Sequence, residues 1–202
     1  MKILTIRTQI IVIAAFLAAA QPLIAEQKNG FDLSTARVPV DEILRGGPPR
    51  DGIPSIDDPI FENPTKTLLW RADDLMLTYD HGGARFAYPV GILNWHEIVN
   101  HAIDDEPILI TFCPLCGTGM AFDPVVDGRH LTFGVSGLLY NSDLLMYDHQ
   151  TESLWSQIEG RAASGNPHQL KISPENLGVG LDSQWRAQGL AIPRTGRSWR
   201  RS

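Results

Sequence analysis

Asp127-Gly128 separates two stretches, GMAFDPVV and RHLTFGVSG, and an Asp-Gly pair between two such runs is a strong β-hairpin signal. The same punctuation recurs through residues 65–160. LLW at 68–70, LMLTYD at 75–80 and ARFAYPV at 84–90 are short and rich in apolar and aromatic residues, and His81-Gly82-Gly83 fits a hairpin connection between the last two. PILITF at 107–112 is a continuous apolar run, the pattern of a buried strand. LLMYDHQT and SLWSQIEG read as a further strand pair, and GVSG at 134–137 as a strand end in a tight turn. One stretch, ILNWHEIVNHAI at 92–103, predicts a helix, with Ile92, Trp95, Val99 and Ile103 at helical spacing. The expected fold is therefore mainly β, a β-rich α+β chain of short antiparallel strands and hairpins with one or two short helices in a single compact domain. There are no internal repeats or low-complexity tracts.

Three further zones frame that body. Residues 1–25 have the layout of a secretory signal peptide: Lys2 and Arg7 in a basic start, an apolar run from Ile10 to Ala20, then small residues with cleavage expected after Ala25. The chain is thus predicted to be exported, to the periplasm. An uncleaved anchor is the alternative, because the apolar run falls short of the ~20 residues of a spanning helix by a margin that Pro22–Ala25 narrows. Residues 26–64 are loop-rich around GGPPRDGIPSIDDP at 46–59, where proline fixes φ and removes backbone donors. Ile53, Ile56, Ile60 and Phe61 between those breakers predict an ordered loop packed on the body. The body itself spans 65–164, and 165–202 form an atypical tail.

Charge restricts the partners. The chain carries a formal net charge of −6, but residues 26–164 hold 9 Lys and Arg against 21 Asp and Glu, a net of −12, while the tail is basic. An acidic body repels phosphate backbones, which argues against a nucleic-acid partner. Beyond the signal segment no stretch is apolar enough to span a membrane.

Four motifs follow one another in sequence: GGPPRDGIPSIDDP, AYPVGILNWHEIVN, ITFCPLCGTGMAF and DGRHLTFGVSGLLYNSDLLMYDHQTESLWSQIEG. In order and spacing, residues 41–163 resemble the bacterial family catalogued as domain of unknown function 3179. The resemblance implies an exported or membrane-associated bacterial protein and carries no agreed biochemical activity. The tail departs from the family pattern, and its Arg194, Arg197, Arg200 and Arg201 suggest a shifted reading frame or a truncated gene.

TFCPLCGTG at 111–119 holds both cysteines, Cys113 and Cys116. Two cysteines in a chain of this length are no disulfide framework. Cys-x-x-Cys followed by glycine resembles one knuckle of a zinc ribbon, in which backbone amides turn toward the sulfurs. A metal site for zinc or copper then needs further ligands. The histidines available are His81, His96, His101, His130, His149 and His168, and His96 in NWHEIVN is the preferred third ligand. Two readings stand beside it: a thiol redox enzyme using the same pair, and an interaction module with a structural Cys113–Cys116 disulfide, which an oxidising compartment permits. A thioredoxin-like fold is excluded by Gly117, Gly119 and Pro124, which oppose a helix after the pair. Tyr140, Asn141, Ser142 and Tyr147 are candidates for a polar pocket. Asp143, Asp148 and Glu152 read as acids on exposed strand faces. Substrate and reaction are not specified by any motif.

Overall fold

Five hairpins in this protein turn on pairs of residues that both adopt positive φ: Asn29-Gly30, Gly82-Gly83, Asp104-Asp105, Asp127-Gly128 and Asn141-Ser142. In each, the flanking residues pair directly across the turn, as Ile103 with Glu106 and Tyr140 with Asp143. Such turns match the right-handed twist of the strands they join. The computed structural model describes residues 26–62, 71–165, 167–173, 177–181 and 192–194; the predicted signal segment, LLW at 68–70 and most of the Arg-rich end lie outside them.

The main elements are β1 (Leu75–His81), β2 (Ala84–Pro89), α1 (Val90–His96), β3 (Ile98–Ile103), β4 (Glu106–Cys113), β5 (Thr118–Asp123), β6 (Phe133–Tyr140), β7 (Asp143–Asp148) and β8 (Leu154–Ser156). They form three sheets. The central one runs in the order Lys171–Ile172, β5, β4, β3, Ile56–Asp57, antiparallel except for its last pair. A second joins β8, β7, β6 and Leu44–Arg45, and a third joins Leu177–Leu181, β1 and β2. The chain is thus β-rich, as expected, with one short α-helix among the described residues.

Strand alternation explains how the sheets stack. On β4, Leu109 and Cys113 face one core with Phe133, Val135, Leu144, Met146 and Trp155 of the second sheet. Ile108, Ile110 and Phe112 face the other core with Leu77, Tyr79, Tyr88 and Leu93. A central strand apolar on both faces reads as an unbroken run, which is why PILITF looks as it does. The outer face of the second sheet is sealed by the amino-terminal segment, where Phe31, Leu33 and Ile43 pack on Leu138, Leu145, Tyr147 and Leu154.

Two expectations are corrected. The helix foreseen over 92–103 covers only its first part. Glu97 takes φ +58 and its N–H bonds back to Leu93 O at 2.8 Å, which ends α1, and residues 98–103 form β3. Ile98 and Val99 are β-branched and pair with Thr111 and Ile110, so sheet partners outweigh the helical spacing. Trp95, expected on the buried helix face, is 65% exposed. GVSG does not end a strand either. β6 runs through it with a register shift between Val135 and Leu138, and Gly137 there has φ +70. A Cβ on Gly137 would stand 2.2 Å from Pro48 O, so this bulge admits the proline-rich loop. That loop bonds along it through Gly46 N to Gly137 O and Asp51 N to Val135 O.

Among the described residues no helix is long and apolar enough to cross a membrane.

Candidate metal centre

β4 and β5 are joined by Pro114, Leu115, Cys116 and Gly117, with Cys113 opposite Thr118 at the mouth of the turn. Gly117 at φ +65 returns the chain, and its N–H donates to Cys113 O at 2.8 Å. The two cysteines are consequently unequal. Cys113 ends a buried strand at 1% exposure, whereas Cys116 is exposed on the turn beside Leu115, itself 70% exposed. Both are free thiols.

Asp143 completes the cluster. It follows the Asn141-Ser142 turn, begins β7 and is 3% exposed. Cys116 Sγ lies 3.7 Å from its Oδ1, and its Oδ2 accepts from Ile158 N at 3.0 Å. One ligand atom from each of Cys113, Cys116 and Asp143 lies within 4.8 Å of the others, and among the described residues this is the one group of three or more metal-binding side chains that close. Burial raises the Asp143 carboxyl above its ordinary range, against the opposing pull of the Ile158 and Leu144 N–H groups and the two thiols. Burial likewise pushes the Cys113 thiol up to about 11, and hydrogen bonding to the Cys116 thiol adds to the rise; the backbone N–H groups of Cys116 and Leu144 favour its thiolate.

Gln157 braces the same corner. It is fully buried, and its Nε2 donates to Thr111 Oγ1 at 3.1 Å and to Thr118 O at 3.0 Å. Its backbone N–H reaches Leu144 O at 3.2 Å. The turn after β8 thus ties the cysteine hairpin to the start of β7.

The other sequence candidates distribute differently. His96 ends α1 and shares a 2.8 Å hydrogen bond between its Nδ1 and Pro54 O. It is outside the closed group, although Glu97 O accepts from Phe112 N at 2.7 Å, which sets NWHE beside the same hairpin. Tyr140 is half-buried and Asn141 and Ser142 are exposed turn residues. Tyr147 sits four residues along β7, roughly 13 Å from Asp143 at strand rise, with its hydroxyl donating to Asp51 Oδ2 at 2.7 Å. Tyr140, Asn141 and Ser142 thus gather at the β6–β7 turn, and Tyr147 stands further along β7. His81 lies 3.6 Å from Glu106 and His168 3.0 Å from Asp127. His101, His130 and His149 line a cavity of about 150 Å³ with Asp57, Asp58 and Asn100.

The expectation that Asp143, Asp148 and Glu152 are exposed strand acids is corrected for the first two, both buried. Asp143 is the site residue sequence reading undervalued. No local signal marks it, since Ser142 before it is exposed and only Leu144 after it is buried.

A layered antiparallel β-domain with two thiols and a buried carboxyl at the rim of its central sheet is the class of protein that this fold and site define. Residues 50–178 match the family model described as a protein of unknown function (DUF3179), and the chain belongs to that family. No curated protein and no solved structure matches it.

Proposed function

We propose that the protein is an exported domain that binds a thiophilic metal ion, zinc or copper, through Cys113, Cys116 and Asp143. The observation that carries this reading is the convergence of two thiols and a buried carboxyl from separate elements. Ligands about 2.3 Å (sulfur) and 2.1 Å (oxygen) from a tetrahedral ion stand about 3.6 Å apart, and Cys116 Sγ to Asp143 Oδ1 is 3.7 Å. Backbone N–H groups directed at the Cys113 sulfur supply the outer bonds that orient metal thiolates. A redox enzyme would need a thiol activated by a helix N-terminus or a cation, and this pair occupies a hairpin with Cys113 pushed the other way.

The test is metal binding by reduced protein handled without oxygen. About one zinc or copper ion per chain is expected. Cys113→Ser or Cys116→Ser should abolish stoichiometric binding, and Asp143→Asn should weaken it ~10-fold or more. A similar loss in His96→Ala would add His96 as a ligand; unchanged affinity would remove it. Absence of stoichiometric metal in the reduced wild type would overturn the proposal. Export is tested separately by N-terminal sequencing of native protein, with Glu26 as the expected first residue.

A further inference from the structure

We infer that this centre passes its ion on by ligand exchange at Cys116 rather than storing it, an inference that rests on the metal-binding reading above. A structural zinc site is closed by four protein ligands, whereas three ligands leave a position for an incoming group. The described residues bring three donors together, and the three are graded in accessibility. Cys113 is 1% exposed within the core of the central sheet, and Asp143 is 3% exposed with its second oxygen held by Ile158 N–H. Cys116 alone stands on the exposed turn. The surroundings keep this order. Gln157 and the Leu144 amide fix the buried side of the cluster, while Leu115 and Ile158, at 70% and 45% exposure, stand out beside Cys116 and Asp143.

An acceptor thiol can therefore approach the ion only from the Cys116 side. In the exchange a bond forms between the metal and the incoming sulfur as the bond from the metal to Cys116 Sγ breaks. The proton lost by the incoming thiol ends on Cys116, and no electron moves. Cys113 and Asp143 keep the ion until a second donor arrives. The cargo is a soft or borderline ion that tolerates mixed thiolate and carboxylate ligation, and the acceptor is a thiol compound.

Zinc-loaded full-length protein mixed with rising concentrations of the chromogenic chelator 4-(2-pyridylazo)resorcinol distinguishes exchange from storage. Exchange predicts a release rate that climbs in proportion to chelator, about tenfold over a tenfold range, because the attacking group enters an open position. A rate independent of chelator would overturn the inference while leaving metal binding intact, and failure to load zinc would overturn the metal reading itself. Mass mapping after brief iodoacetamide treatment of the loaded protein gives a second measure. Cys116 should be alkylated at least ~10-fold faster than Cys113, following exposure. Equal labelling, or Cys113 first, would also overturn it.

Discussion

Two aspartates on β7 occupy its opposite ends and are both buried, yet they do different things. At the far end, Asp148 receives Thr151 N–H and Thr151 Oγ1–H, the latter at 2.7 Å, and Trp155 Nε1–H at 2.9 Å. Thr151 belongs to the exposed turn that leads into β8, and Trp155 is a buried residue of β8 itself. At the near end, Asp143 Oδ2 receives Ile158 N–H and its Oδ1 faces the Cys116 thiol, with the Leu144 N–H and the Cys113 thiol also acting on the carboxyl. A thiol is a weak donor and an exchangeable one. Asp148 is a closed knot, and Asp143 is a carboxyl left with a displaceable partner. Burial alone thus does not identify a functional acid; the chemistry of its donors does.

The largest expected effect separates these roles. Asp148→Ala orphans the buried Trp155 indole N–H and two partly buried Thr151 donors and should cost about 3 kcal/mol in urea unfolding of the reduced protein. Asp143→Ala loses the Ile158 and Leu144 N–H contacts but also removes a carboxyl that burial disfavours, so its cost should be smaller, near 1 kcal/mol. Equal losses in the two variants would break the contrast.

A smaller effect extends the contrast to β3 and the residue before it. Burial lowers the His101 pKa to about 4, and its Nε2 lies 2.7 Å from the Tyr88 hydroxyl. Burial raises the Glu97 pKa to about 7. His101 is depressed below its unfolded value of about 6.5, so its contribution is present above that pH and lost as pH falls toward 4. Glu97 is raised above its unfolded value, so its contribution is present at low pH and lost as pH rises through about 7. The two slopes oppose each other. His101→Gln should make stability fall as pH rises from 4.5 to 7, and Glu97→Gln should make it rise, each by on the order of 1–2 kcal/mol. Unfolding midpoints at the two pH values decide, and slopes of the same sign would refute the assignment.

The smallest effect concerns the Asp148 end of β7. Arg50 stacks over Tyr147 at 4.3 Å and Phe31 at 4.9 Å and reaches Glu152 at 2.8 Å. Arg50→Met keeps the packing and loses the charge, so a cost of about 1 kcal/mol or less is expected, shrinking with salt for the Glu152 pair. A larger loss would mean that this end is held electrostatically rather than by the Asp148 knot.

The hairpins at Gly82-Gly83 and Asp127-Gly128 were legible because their residues favour positive φ. Those at Asp104-Asp105 and Asn141-Ser142 carry the same conformation without glycine, and their signal is weaker. IVNHAI misled because its apolar positions fit both a helical and an alternating period; only its partners on β4 settle the matter. For the candidate site, the cysteines announced themselves by spacing. Asp143 did not, since it meets Cys116 across 27 positions of sequence through a contact made by sheet stacking. Ligands drawn from two different strand pairs leave no local pattern to read.

The seal over the outer sheet bears on how the chain is made. Asn29 Nδ2 bonds to Ser136 O, 107 positions away, and Gly165 N to Thr35 Oγ1, 130 positions away. This segment is synthesised before the strands it covers and therefore has no surface to settle on until more than a hundred further residues have appeared. Until then Phe31, Leu33 and Ile43 stay bare, and so does the face of β6 to β8 that they cover. Such delayed, distant closure slows folding and lengthens the interval in which a nascent chain is a client for chaperones.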